Sequence, residues 1–195
     1  MTRPHLAILT ATILITTGLL TGCTQPTTTP AQELQTILAK INNTPSLTFN
    51  LSSSVYNITM NATIQERKPY SKFTIYNDHN QSIYLFRPDG SYYYNQTSKT
   101  WTKNPGQTTP SFIVDFIAQL AGNITHANIT RGTLYGFPVH IFTNHTGQVT
   151  LQVWIWDDYG VPLQTQQIIN NTIYSLAFYS YYSFNPLPDS TFNIQ

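Results

Sequence analysis

The chain has 195 residues, and only 9% of them are charged, against about 25% in typical globular proteins; Lys and Arg number 9, Asp and Glu 8. So neutral a chain offers no electrostatic footprint for nucleic acid or for an anionic membrane surface. Its hydration must come from Asn, Gln, Ser and Thr, and its one cysteine, Cys23, excludes a disulfide framework.

Residues 1–22 begin with a single cation, Arg3, and continue from 6 to 20 with apolar residues, Thr and one Gly. These are the n-region and h-region of a secretory signal. The apolar run is shorter than the roughly 20 residues a membrane-spanning helix needs. Leu20-Thr21-Gly22-Cys23 resembles the lipobox of prokaryotic lipoproteins. That resemblance implies that the Cys23 thiol carries a lipid, that the signal is cut before it, and that the protein sits on the extracytoplasmic face of the membrane. Lipidation also removes the difficulty of an odd cysteine in an exported chain. Residues 23–31, CTQPTTTPA, are a Thr/Pro-rich tether with no apolar periodicity. Residues 32–195, about 165 in number, suffice for one domain with a sizeable core.

In "AQELQTILAKINNTPS", Leu34, Ile37, Leu38 and Ile41 recur at helical spacing, and Asn42, Asn43 and Pro45 stop the helix. From Ser46 the period becomes two. Leu47, Phe49 and Leu51 alternate with polar residues; Tyr56, Ile58, Met60, Ala62 and Ile64 alternate on the other parity, which predicts a turn or bulge across "SSSV". "YSKFTIYN" is a third strand, and "SIYLFRPDGSYYYN" a hairpin turning at Pro88-Asp89-Gly90. "TKNPGQTTP" reads as loop. "SFIVDFIAQLAG" reads as a second helix, with Ser111 as N-cap and Gly122 just past its end. Phe112, Ile113, Phe116, Ile117 and Leu120 form its broad apolar face. Five further strands follow: "ANITRGTLY", "FPVHIFTN", "QVTLQVWIW", "LQTQQIIN" and "TIYSLAFYSYYSF". Their short links favour antiparallel neighbours.

Ten strands in one sheet must curl or split. The expected class is α+β: a strongly curved antiparallel β-sheet, or open barrel, with two helices packed on its concave face. The opening helix and strands, "DGSYYYNQTSKTW", the middle helix, "YGFPVHIF", and "VWIWDDYGVPLQTQQIINNTIYSLAFYSYYSF" with its closing "PDSTF" make residues 32–195 similar to the LolA-like family of lipoprotein carriers. The resemblance implies an incomplete barrel with a helical lid and a hydrophobic cavity that holds acyl chains. Leu38, Phe112, Phe116, Ile117 and Leu120 are the candidate cavity residues. The ligand or partner it implies is a lipid or the acyl chains of a lipoprotein. The family's soluble carriers are not anchored, whereas this chain has the features of a lipidated one.

Asn-X-Ser/Thr occurs ten times, at Asn42, Asn50, Asn57, Asn61, Asn80, Asn95, Asn123, Asn128, Asn144 and Asn170. The motif is the N-glycosylation acceptor of exposed loops in exported chains. Asn95 and Asn144, followed by Asn42, Asn57, Asn80 and Asn170, are the expected acceptors; compositional drift toward Asn and Thr is the bland alternative. A lipobox with dense sequons fits an archaeal cell-surface protein better than a bacterial periplasmic one.

Chemistry-bearing motifs are few. Asp157-Asp158 lies in "WDDYGVP", a turn sequence, and adjacent strand residues point to opposite faces. His79, His126, His140 and His145 match no zinc spacing, and His140 reads as a strand-face residue. No nucleophile elbow, phosphate loop or dinucleotide fingerprint occurs, so neither enzyme nor cofactor is expected. Tyr92, Tyr93, Tyr94, Tyr179, Tyr181, Tyr182 and Phe184 put rings on both strand faces, chiefly as core, with a minority lining a groove. Two functions compete, a membrane-anchored binder of a hydrophobic ligand and a glycosylated structural or adhesive surface module, ahead of a third, an enzyme with an unrecognised site. Both make the same prediction for Cys23. Replacing it with Ser should release the protein from membranes of its host, checked by fractionation; a Cys23→Ser chain that stays uncut and membrane-bound would make the segment a plain anchor.

Overall fold

The computed structural model describes residues 29–56, 58–77, 80–104 and 127–194. Helix α1 (Pro30–Asn42) starts at a reciprocal cap: the Gln32 N–H donates to Thr29 Oγ1 at 3.3 Å, and the Thr29 N–H donates to Gln32 Oε1 at 2.8 Å. Pro30 fills the first helical position, where a missing N–H costs nothing.

Among the described residues eleven strands follow: β1 (Leu47–Val55), β2 (Ile58–Arg67), β3 (Tyr70–Asn77), β4 (Asn80–Arg87), β5 (Gly90–Asn95), β6 (Thr100–Asn104), β7 (Asn128–Leu134), β8 (Phe137–Thr146), β9 (Val149–Trp156), β10 (Pro162–Ile169) and β11 (Thr172–Ser183). They form one sheet in the order β6-β5-β4-β3-β2-β1-β11-β10-β9-β8-β7, antiparallel throughout. The chain thus makes two meanders, β1–β6 and β7–β11, joined where β1 pairs with β11. Among the described residues the sheet is curved and does not close, with β6 and β7 as its edges.

α1 lies on the inward face. Leu34 and Ile37 pack with Phe142, Val153 and Ile155 of the second meander. Ile41 packs with Leu47, Phe49, Leu51, Ala62, Ile64, Val161 and Tyr179. Phe49, Ile64, Ile155 and Val161 are at most 1% exposed. Gly160 lets the helix approach. Its φ is +71°, and a Cβ there would stand 2.8 Å from the Ile37 carbonyl oxygen, backbone that cannot move aside without lifting α1.

The expectation of two helices on the concave face is corrected. Among the described residues one helix, α1, occupies that face, and the only other helical element is a 3-10 turn (Asp189–Phe192). That turn packs on the opposite face, where Phe192 joins Leu85 and Tyr92 with Tyr70, Trp101 and Leu187 alongside. The physical reason is strand alternation: Tyr84 and Tyr93 face inward, so Leu85 and Tyr92 face out and need a cover of their own. The predicted helix at 111–122 lies outside the described residues.

Three further expectations shift. "TKN", read as the start of a loop, belongs to edge strand β6; Trp101 is that strand's one apolar residue, so it carries no alternation to detect. β1 runs through "SSSV" and turns only at Tyr56, φ 53°, because Ser53 and Val55 continue the inward row of Leu47, Phe49 and Leu51 against Met60 and Ile58. In β11 an extra residue, Tyr181 at φ 54°, bulges out between the pairs Thr48–Ser183 and Asn50–Ser180. The bulge resets the alternation. Tyr179 and Tyr182 therefore both reach Phe49, with ring centroids at 6.1 and 5.4 Å, while Tyr181 is 83% exposed.

The Tyr182 hydroxyl donates to the Pro162 carbonyl, and burial holds its pKa well above the ordinary phenol value, with the neighbouring Tyr179 adding to the rise. The unfolded chain releases this proton near pH 10 and the native one resists, so the stabilisation is complete below about pH 10 and is lost as pH rises further. Tyr182→Phe should cost about 1 kcal/mol at pH 7 through the lost hydrogen bond. Its stability should then fall less steeply than that of the parent above pH 10, as urea titrations across the alkaline range would read.

Candidate functional site

α1 does not cover the whole inward face. One row of paired residues crosses four strands: Ile64 on β2, Phe73 on β3, Tyr84 on β4 and Tyr93 on β5. Ile64, in the cluster under α1, is 0% exposed; Phe73 and Tyr84 are half-buried; Tyr93 is 38% exposed. Exposure thus rises with distance from the helix. Phe86 lies edge-on to Phe73 at 5.3 Å, and Tyr84 meets Tyr93 at 5.3 Å. Ile75, beside Phe73, and Met60, 37% exposed, extend the same surface. The result is an apolar, aromatic wall on β2–β5. Among the described residues under α1, Phe49, Ile64, Ile155 and Val161 are fully buried. The pocket between the end of α1 and the start of β1, bounded by Ile41, Leu47 and Glu66, has a cavity volume of about 20 Å³, room for a water but not for an acyl chain.

A polar cluster sits at the other end of α1. His140 on β8 faces inward, and its Nδ1–H donates to Asp157 of the β9–β10 turn. On the other side of the ring, Nε2 stands 3.7 Å from Glu33 Oε2, and Glu33 Oε1 accepts from Arg131 of β7 at 3.4 Å. Lys40 donates to the Asp157 backbone carbonyl, so α1 grips this turn from its last helical turn as well. The carboxylates approach opposite edges of the imidazole and do not converge on one point. Accordingly, no metal-binding group of three or more such residues occurs among the described residues. The cluster ties α1 to β7, β8 and the β9–β10 turn.

The sequence-predicted residues distribute as follows. Phe112, Phe116, Ile117 and Leu120 lie outside the described residues, and so does the side chain of Leu38, although its backbone belongs to α1. Cys23, Asn57 and Asn123 are outside as well. Asp157 and Asp158 do form a turn and do diverge: Asp157 meets His140, while Asp158 accepts from the Trp156 indole N–H at 3.2 Å. His140 is a strand-face residue, as expected, but its two carboxylate neighbours come from elements 107 and 17 positions away and leave no local pattern. The aromatic wall was half visible: Tyr93 stood out as a ring, whereas its alignment with Phe73 and Tyr84 required the strand register.

Neither a protein-family model nor a curated protein matches this sequence. Solved structures do match. The chain superposes on a chain of the Pseudomonas aeruginosa MucA/MucB complex with a TM-score of 0.59 and 9% identity, over 86% of this chain and 62% of that one. For MucB alone the TM-score is 0.53 with 9% identity, over 85% and 62%. For MucB with MucA(peri) it is 0.53 with 11% identity, over 82% and 58%. The likeness is one of fold. This chain spans about three fifths of the length of those structures.

If the His140 cluster fastens α1, its members act together. Glu33→Gln and His140→Gln, singly and combined, should show a coupling energy of about 1 kcal/mol in urea denaturation, as expected of neighbours in one polar network. A strictly additive pair would assign the docking of α1 to its apolar face alone.

Proposed function

We propose that the protein is an extracytoplasmic, lipid-anchored binder of a hydrophobic ligand, and that the ligand lies on the inward wall of β2–β5. The exposure gradient from Ile64 to Tyr93 carries this reading: the wall is apolar, continuous with the core, and left uncovered by α1. The signal and lipobox ending at Cys23 support export and anchoring. The LolA-like resemblance of residues 32–195 supports an acyl chain as the ligand class. The fold shared with MucB is consistent with that setting, and MucB itself is known in complex with MucA.

Affinity would come from burying CH₂ groups at about 0.8 kcal/mol each, without a charged anchor, in keeping with the scarcity of charges. Offset and edge-on rings such as Phe73 and Phe86 leave apolar faces on which a chain can lie. No catalytic step is proposed. The reading is tested by titrating a fluorescent fatty-acyl probe into the full mature chain. Saturable binding is expected, weakened about tenfold or more by Tyr93→Asp or Met60→Asp, a loss of about 1.4 kcal/mol. Both positions are over a third exposed, so folding should survive, and circular dichroism would verify it. A folded chain with no saturable binding would favour the structural surface module instead.

A further inference from the structure

The up-and-down order of the strands sorts their turns into two ends. The β1–β2, β3–β4, β5–β6, β8–β9 and β10–β11 turns share one end; the β2–β3, β4–β5, β7–β8 and β9–β10 turns share the other. The chemistry of the two ends differs. Among the described residues, the charged turn residues Lys68, Asp89, Asp157 and Asp158 all lie at the second end, and only Lys99 lies in a turn at the first.

That first end carries the sequons. Asn61, Asn80, Asn95, Asn128, Asn144 and Asn170 all fall in its turns or in the parts of the strands next to them. Of the other described sequon asparagines, Asn50 is mid-sheet and Asn42 ends α1 near the opposite end. Asn61, Asn80, Asn128 and Asn170 are exposed, and Asn95 and Asn144 half-exposed. The same end also exposes apolar side chains: Tyr56 75%, Ile58 77%, Ile173 55% and Val55 39%. Tyr56 packs edge-on to Tyr174 at 4.5 Å, so the group is a patch rather than scattered residues. An exposed apolar patch on a nearly charge-free surface needs a cover or a source of hydration.

We infer that this end of the sheet is an N-glycosylated crown, in which sugars attached at these asparagines hydrate the end and shield its apolar patch. Each attachment forms a bond from the asparagine Nδ2, which loses a proton, to C1 of a sugar. The C1–O bond to the phosphate of a lipid-linked oligosaccharide donor breaks, and the phosphate leaves with the electron pair. At Asn95 the Oδ1 already accepts the Thr97 and Ser98 N–H groups at 2.9 and 3.1 Å, which fixes the side chain in the turn with its Nδ2 as the group to be modified. A sugar supplies hydroxyls to water and C–H faces to tyrosine and isoleucine, which matches what surrounds it here. The opposite end carries charged turn residues beside its own exposed rings, Tyr135 at 66% and Tyr159 at 39%.

The inference rests on the proposed extracytoplasmic location and not on the hydrophobic ligand. The test is site-by-site glycopeptide mass spectrometry on the protein purified from its host's membranes, with the N-terminus sequenced to establish export. Glycans are expected at the six crown asparagines, with higher occupancy than at Asn42 or Asn50. A chain that never leaves the cytoplasm overturns the location and this inference together. A chain that is exported but unmodified, or modified without preference for the crown, overturns this inference alone. A second measurement reads the shielding. The six-site Asn→Gln chain should lose solubility several-fold, and adding Tyr56→Ser with Ile58→Ser should restore it. If the native chain is unmodified and its binding to neutral phospholipid vesicles disappears with Tyr56→Ser and Ile58→Ser, the patch is a membrane contact and the crown is rejected.

Discussion

The structure depends on the docking of α1 across the seam between its two meanders. An eleven-stranded antiparallel sheet pairs its own backbone groups, but it cannot bury its own face. Leu34 and Ile37 are sunk among β8 and β9, and Ile41 among β1, β2 and β11, so one amphipathic stripe closes over both halves. The approach is close enough to demand a glycine at 160. Polar contacts set the helix position along that groove: Glu33 meets His140 and Arg131 at one end, and Lys40 meets the Asp157 carbonyl at the other. Burial supplies the gain, and the polar contacts choose the register.

Among the described residues one helix lies on so wide a sheet, which leaves an asymmetry. The second meander lies under α1. The first extends beyond it, and its inward aromatic row passes from fully buried at Ile64 to over a third exposed at Tyr93. On the outward face the same meander is closed by the C-terminal segment: Phe192 joins Leu85 and Tyr92, and Arg67 holds the segment through Asp189 at 2.6 Å while lying over the rings of Tyr70 and Phe192. Among the described residues the meander is thus pinned from outside, and α1 does not reach the end of its inward row. The exposed Asp189 partner makes the ion pair a modest contributor, and the stacked rings and buried Phe192 the larger one.

Strand alternation explains both what could be read in advance and what could not. Where one face is buried and the other wet, the period of two was plain, as in Leu47, Phe49 and Leu51, and the helical spacing of Leu34, Ile37 and Ile41 was equally plain. β6 was invisible because an edge strand with one apolar residue has no period. The bulge at Tyr181 was invisible because a single inserted residue changes which side chains share a face without changing composition. The His140 cluster was invisible because its parts are local to nothing but the fold.

The sequence alone determined the shortage of charge, the lone cysteine and the sequons, which are matters of composition and short motif, and the entry helix with its cap and apolar stripe and ten of the eleven described strands, because each of those elements is written in about a dozen consecutive residues. Only the tertiary structure decided that α1 leaves part of the inward row exposed, that Phe73, Tyr84 and Tyr93 stand in one row, and that, among the described residues, most charged turn residues gather at one end of the sheet and six of the eight sequons at the other. Those facts depend on strand register and on the up-and-down order of the chain, in which residues far apart in sequence become neighbours.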